Sequence, residues 1–346
     1  MKIRLFIVKL LIFSIPFLFF VGFYFYLDPF KVVKHYESYY HSGRPNYISL
    51  NKDFISTENW VNHHAQYDYD SYIFGNSRSM FYQIGTWKNY ISADSAKCYH
   101  FDASGESIYG IAGKFRFLAA QHARLRNVLI VMDAGALNKA DNSAGHLFLK
   151  DPRISGQNRV AFQTDMLKDF FDFDFLRALL DFKWSGKIKD YMTKDFLLDD
   201  KPFSYDYVTN EVRMDYYEEM IRKNPADYYV PRADIFYPRD STFQAVSDAV
   251  IRPPQLQLLD TIRRILQENH SNFRIVISPL YDQKKINPAD LQTLRKLFGE
   301  NNVFDFSGIN EITRNKYNYY EVSHYRPFIA DKIMRIIYGG DKLAAK

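Results

Sequence analysis

The stretch that decides the fold is Asp70-Ser71-Tyr72-Ile73-Phe74-Gly75-Asn76-Ser77-Arg78. Its first five residues form a short run rich in aromatic and β-branched side chains, and the remainder is turn chemistry. Apolar residues here do not alternate cleanly with polar ones, which predicts a strand covered on both faces, as in a parallel sheet. Four further runs share this form. Cys98-Tyr99-His100-Phe101-Asp102 ends in Ala103-Ser104-Gly105, and Val128-Leu129-Ile130-Val131-Met132 ends in Asp133-Ala134-Gly135. Phe273-Arg274-Ile275-Val276-Ile277 ends in Ser278-Pro279, and Val303-Phe304-Asp305-Phe306 is a shorter fifth.

Helical stretches separate these runs. Glu106 to Gln121 precedes the third strand. Pro254 to Asn269 precedes the fourth and carries one apolar face at Leu256, Leu258, Leu259, Ile262, Ile265 and Leu266. Asn287 caps a helix that opens at Pro288 and stops before Gly299, and Pro327 opens a last one through Ile337. Strand–helix alternation predicts an α/β doubly wound, flavodoxin-like parallel sheet over residues 70–338. Residues 140 to about 250, rich in Phe, Tyr and Asp, break the alternation and read as a helical insertion, either extra packing helices or a lid or sugar-contacting surface. Residues 31–69 read as a polar, Tyr-rich connector, in which His63-His64 is a solvated surface pair.

Upstream of the connector, residues 1–30 read as a membrane anchor. Lys2, Arg4 and Lys9 precede an uncharged run from Leu10 to Leu27, LLIFSIPFLFFVGFYFYL. About 18 to 20 apolar residues suffice to cross the hydrocarbon core. The basic flank puts the N-terminus in the cytoplasm and the main domain outside it, periplasmic or at the cell surface. A cleaved signal peptide is the competing reading. The absence of small residues after the run favours an uncleaved anchor.

Composition is that of a globular chain: 346 residues, 47% hydrophobic and 25% charged, which excludes a disordered or low-complexity protein. The net charge of +5 raises the question of an anionic partner. Three of those charges sit before the anchor, so the rest of the chain is close to neutral. No basic stripe with interleaved aromatics argues for nucleic acid. One cysteine, Cys98, excludes a disulfide framework and multi-cysteine metal sites. No ligand cluster points to a metal, and no phosphate-cradling GxxxxGK[ST] or strand-following GxGxxG points to a nucleotide cofactor.

In an open parallel sheet, ligands bind beyond the carboxyl ends of the strands. Ser77 stands at the end of the first predicted strand and Gly105 at the end of the second, where a glycine lets substrate approach backbone N–H groups. Near the C-terminus, Glu321-Val322-Ser323-His324 places a carboxylate three residues before an imidazole. Such a carboxylate can orient the ring while the other ring nitrogen acts as base. A serine hydroxyl needs that base to become a nucleophile.

A strand-end Gly-Asn-Ser, a glycine ending the second strand and a late acid-x-x-His resemble the SGNH/GDSL hydrolase superfamily. Together with the anchor and the Ser77-Arg78 pair, they are similar to its membrane-anchored members in envelope acylation, the alginate O-acetylation and teichoic-acid D-alanylation accessory type. The resemblance implies an extracytoplasmic serine esterase or O-acyltransferase acting on an envelope glycan or cell-wall polymer. It implies Ser77 as nucleophile, His324 as general base, Glu321 as its orienting acid, and the Ser77 and Gly105 N–H groups in an oxyanion hole. Asn76, Arg78 and Asp133 are candidate substrate contacts. A chain with one span cannot itself carry acyl groups across a bilayer, so a multi-span membrane-bound O-acyltransferase is the expected partner.

The pattern also departs from the superfamily. Glu321 replaces the usual Asp. The third motif, whose Asn donates to the oxyanion, is replaced by Met132-Asp133-Ala134-Gly135, with Asn138 the next amide along. Anchored members often lack that Asn. The alternative reading is therefore a non-catalytic scaffold that binds a glycan or assembles an envelope polysaccharide pathway.

Overall fold

The computed structural model describes residues 2–91, 95–194 and 197–339. The main elements are helix α1 (Lys2–Leu27), α2 (Lys52–Tyr67), strand β1 (Ser71–Gly75), α3 (Ile84–Ile91), β2 (Cys98–Asp102), α4 (Ile108–Ala120), β3 (Asn127–Met132), α5 (Arg159–Phe170), α6 (Phe173–Ser185), α7 (Pro253–Glu268), β4 (Asn272–Ile277), α8 (Pro288–Phe298), β5 (Val303–Asp305) and α9 (Pro327–Gly339). All five strands run parallel, in the order β2-β1-β3-β4-β5. That order reverses direction between β1 and β3, which makes the crevice at their carboxyl ends the switch point where doubly wound sheets bind ligands.

Successive strand residues point to opposite faces. Tyr72, Phe74, Tyr99, Phe101, Val128 and Ile130 pack under α2, α4, α7 and α8. Ile73, Leu129, Val131 and Val276 pack under α3 and α9. β1, β2 and β3 are buried throughout, because helices cover both faces. The predicted strands and helices are present, displaced by at most two residues at an end.

The connector differs from its sequence reading. Residues 52–67 form α2, and its buried side includes Lys52, Asp53, Ser56, Thr57, Asn59 and His63. Its C-cap, Asp68, takes the left-handed conformation at φ 50°. The two histidines are not a solvated pair. His63 is buried, its Nδ1 2.9 Å from the Asn59 carbonyl, and the His64 ring stacks on Trp60 at 4.2 Å. A helix that buries polar side chains lacks the apolar period by which helices are recognised.

The insertion is helical as expected, but it also carries strands. Leu198–Asp199 pairs antiparallel with Tyr47–Ile48 of the connector. Ser204–Asp206 pairs with Glu211–Arg213, and this hairpin covers the free edge of β2. There the His100 N–H donates to the Thr209 carbonyl, and Asn210 Nδ2 donates to the His100 carbonyl at 2.6 Å. Covering an edge strand removes a row of unpaired backbone groups.

Helix α1 is long and apolar enough to span a membrane, with mean hydropathy 2.5 over Ile3–Leu27. Its side chains up to Phe19 are largely exposed, whereas Tyr24 near its end is fully buried against the insertion.

Candidate functional site

The site starts from a backbone demand. Gly75 has φ +153°, and a Cβ there would stand 2.4 Å from the Val131 carbonyl oxygen and 2.9 Å from Ser79 Cβ. Only glycine lets β1 press this closely on β3 and then turn sharply. The turn is closed by the Ser79 N–H donating to the Asn76 carbonyl at 2.8 Å. Ser77 is left half-buried at the apex, at the switch point of the sheet.

The late motif reaches the same place from the far end of the chain. Tyr319–Glu321 and His324–Tyr325 form a small antiparallel hairpin whose tip is Val322-Ser323. It is seated by Tyr325, fully buried, whose hydroxyl lies 3.4 Å from both Ser278 Oγ and Tyr82 Oη. Phe81 packs edge-on against the His324 ring at 5.7 Å. His324 Nε2 thereby stands 2.6 Å from Ser77 Oγ, across 247 residues of sequence. On the other side of the ring, Nδ1 meets Glu321 Oε1. The second carboxylate oxygen of Glu321 accepts the Ser323 N–H at 2.8 Å. Burial alone would raise the Glu321 pKa. The hydrogen bond and charge of His324, the Ser323 N–H and the Arg78 charge outweigh it and hold the carboxyl below its usual range. The structure thus brings Ser77, His324 and Glu321 together in one continuous line of contacts. Glu in place of Asp reaches because it sits one hairpin tip away, at a paired position opposite His324.

The three candidate substrate contacts are bonded mainly to one another. Asn76 and Asp133 are both buried. Asp133 Oδ2 accepts from Asn76 Nδ2 at 2.6 Å and from Arg78 Nη1 at 2.7 Å, while its Oδ1 accepts the Ala136 N–H. Arg78 Nε donates to the Ser323 carbonyl at 2.9 Å. Arg78 is therefore a clamp that ties the turn carrying Ser77 to the hairpin carrying Glu321 and His324. Asp133 is bound into the same clamp. Its charge is matched by Arg78, and its oxygens are occupied. Asn138 is exposed at the far end of the one-turn helix Ala134–Asn138.

Gly105, at φ +56°, follows β2 in a turn held beside β1 by the Ala103 N–H donating to the Gly75 carbonyl. A Cβ there would meet the Phe148 ring at 3.1 Å. Among the described residues, the Ser77 and Gly105 backbone N–H groups have no hydrogen-bond partner.

A cleft of about 180 Å³ opens onto Ser77. Its floor is Asp102, Ser104 and Lys52, and its walls include Tyr40 and Tyr47 from the connector with Phe203 and Met214 from the insertion. Connector and insertion both line this cleft, while the insertion's helices α5 and α6 pack with the connector and the end of α1. Lys52 Nζ donates to the backbone and side-chain oxygens of Asn210, both at 3.0 Å, and lies 3.6 Å from Asp102 Oδ1. A larger cavity of about 420 Å³ lies between residues 32–39 and Arg153–Gln163, and it contains no member of the triad. Chemistry rather than size selects the cleft.

Behind Gly105 lies a charge network that sequence reasoning missed. Lys114 Nζ bonds Glu106 Oε2 at 2.5 Å and Asp53 Oδ2 at 3.1 Å, and Lys150 Nζ bonds Glu106 Oε1 at 2.7 Å. All four side chains are wholly buried. Burial lowers the Lys114 pKa, but the two carboxylates raise it further, so it stays charged. The network fastens α2, α4 and the turn after β2 to one another. No sequence signal marks it, because the four residues come from three distant segments.

No family model, curated protein or solved structure matches the chain.

Proposed function

We propose that this chain is a membrane-anchored serine esterase or O-acyltransferase of SGNH type that works outside the cytoplasm on an envelope glycan or cell-wall polymer. The observation that carries the reading is the continuous contact from Ser77 Oγ to His324 Nε2 and from His324 Nδ1 to Glu321. With the imidazole proton held on Nδ1 by Glu321, Nε2 is free to accept the Ser77 proton. Ser77 Oγ then bonds to the ester carbonyl carbon, and negative charge moves to the carbonyl oxygen, which the Ser77 and Gly105 N–H groups receive. The ester C–O bond breaks as His324 Nε2 returns the proton to the leaving oxygen. A sugar hydroxyl or water, deprotonated by the same nitrogen, next attacks the acyl-serine and releases Ser77. The cleft lined with Tyr40, Tyr47 and Phe203 offers ring faces of the kind on which sugars lie.

A fluorophosphonate probe tests this reading on the full chain in membranes. Labelling of the wild type and none of Ser77→Ala is the expected result. Absence of labelling in the wild type, with envelope acylation unchanged in Ser77→Ala, overturns it in favour of a non-catalytic scaffold.

A further inference from the structure

Helix α1 does not leave the domain as a loose tether. The Phe171 ring, in the turn between α5 and α6, stacks on Phe17 of α1 at 5.3 Å and 16°, and lies 6.3 Å from Phe20. Phe170 packs on Tyr24 at 5.3 Å, and the Tyr24 hydroxyl donates to Gln163 Oε1 at 3.0 Å. Phe17 stands ten residues before the end of α1, which is about 15 Å along its axis. The α5–α6 turn therefore lies alongside the apolar part of α1 rather than above it.

From this turn α6 presents an outward face with no partner among the described residues. Phe173 is 75% exposed, Leu180 43% and Trp184 94%. Steps of seven and four residues return to nearly the same side of a helix, so the three form one stripe. The opposite side, Phe175, Ala178 and Leu179, fills the core. Folding therefore does not need the outward stripe. Exposed Lys183 and Lys187 flank it, and Arg177 lies over the Tyr191 ring at 4.7 Å; lysine stems of this length cover apolar surface and can carry their ammonium groups to lipid phosphates. Tryptophan beside lysine is the pairing favoured at a membrane–water boundary. Asp172 and Asp174 at the start of α6 set the depth, since buried carboxylates in hydrocarbon are costly. They keep the helix along the interface instead of within the bilayer.

We propose that the Phe173–Leu180–Trp184 face of α6 lies in the outer interface of the membrane that α1 crosses. The domain is then seated on lipid at two places, the α1 span and the α6 face. This rests on the reading of α1 as an anchor.

The chain contains three tryptophans, and Trp60 and Trp87 are buried at 1% and 0% exposure. Trp184 alone can report on lipid. The full chain is reconstituted in phosphatidylethanolamine–phosphatidylglycerol vesicles whose acyl chains carry bromine. The expected result is loss of the Trp184 emission to bromine, a loss absent in Trp184→Phe, and no further quenching of the wild type by aqueous iodide than of Trp184→Phe. Emission untouched by bromine but quenched by iodide, in vesicles that keep the chain through an alkaline wash, overturns the proposal and leaves the anchor intact. Emission insensitive to both quenchers places Trp184 against protein, a second copy or a partner, and also overturns it. Release of the chain by alkali overturns the anchor reading itself, and this proposal with it.

Discussion

Replacing Arg78 by alanine separates positioning from chemistry at the site. The Arg78 guanidinium makes two hydrogen bonds, 2.7 Å to the Asp133 carboxylate and 2.9 Å to the Ser323 carbonyl, with its side chain 18% exposed. Hydrogen bonds that involve a charged group contribute about 1.5–3 kcal/mol each. Partial solvent screening at this site places the loss in Arg78→Ala at about 3 kcal/mol in total. Asp133 keeps Asn76 Nδ2 and the Ala136 N–H, so it is not left bare. The Ser323 carbonyl, by contrast, loses its link to the Ser77 turn, and the hairpin can drift from Ser77. At about 1.4 kcal/mol per tenfold, that loss lowers the rate of fluorophosphonate labelling by on the order of 100-fold. Arg78→Lys should fall between, because an ammonium keeps the charge but lacks the fork that serves both acceptors. The assay is the labelling rate of full-length protein in membranes, with thermal unfolding measured alongside. Wild-type labelling in Arg78→Ala would refute the clamp.

Two further perturbations test neighbouring parts of the structure. Glu321→Gln keeps the shape but can turn an N–H toward His324 and favour the wrong tautomer, so labelling should fall by on the order of 10³- to 10⁴-fold. Because the Glu321 carboxyl is held below its usual range, its stabilisation is fully present above about pH 4.3 and is lost as pH falls through the depressed folded value. The difference in thermal stability between wild type and Glu321→Gln should therefore persist from neutrality down to about pH 4.3 and close only below it, and closure near neutrality would contradict the assignment. Lys114→Met strips the buried network of its central cation and leaves Glu106 and Asp53 with Lys150 alone, which should cost about 3–5 kcal/mol in denaturant unfolding; a loss under 1 kcal/mol would mean the network relaxes through water.

Much of the fold is legible in the chain because the sheet is buried on both sides. Runs such as Val128 to Met132 have no solvent-facing positions to dilute them, and proline and glycine mark the ends of α8 at Pro288 and Gly299. Ser77, Glu321 and His324 are legible for a different reason: Ser77 follows a strand whose end the sequence marks, and Glu321 and His324 stand at a recognisable spacing just before the helix that Pro327 opens. What escapes is polar burial. Helix α2 turns Lys52, Asp53, Asn59 and His63 inward, so its pattern reads as a solvated connector. The role of Asp133 escapes too, because the cation that matches it, Arg78, stands 55 residues earlier. Long-range charge pairing leaves no period in a sequence, whereas apolar layering does.

The cleft walls have a consequence for synthesis at the membrane. Tyr47–Ile48 emerges early, but its pairing partner Leu198–Asp199 follows about 150 residues later, and His324 follows last of all. Ser77 is therefore made long before the imidazole that it touches and before the far side of the cleft that surrounds it. Contacts of such long sequence separation form slowly, so the Ser77–His324 contact closes late, when the domain has folded around the sheet.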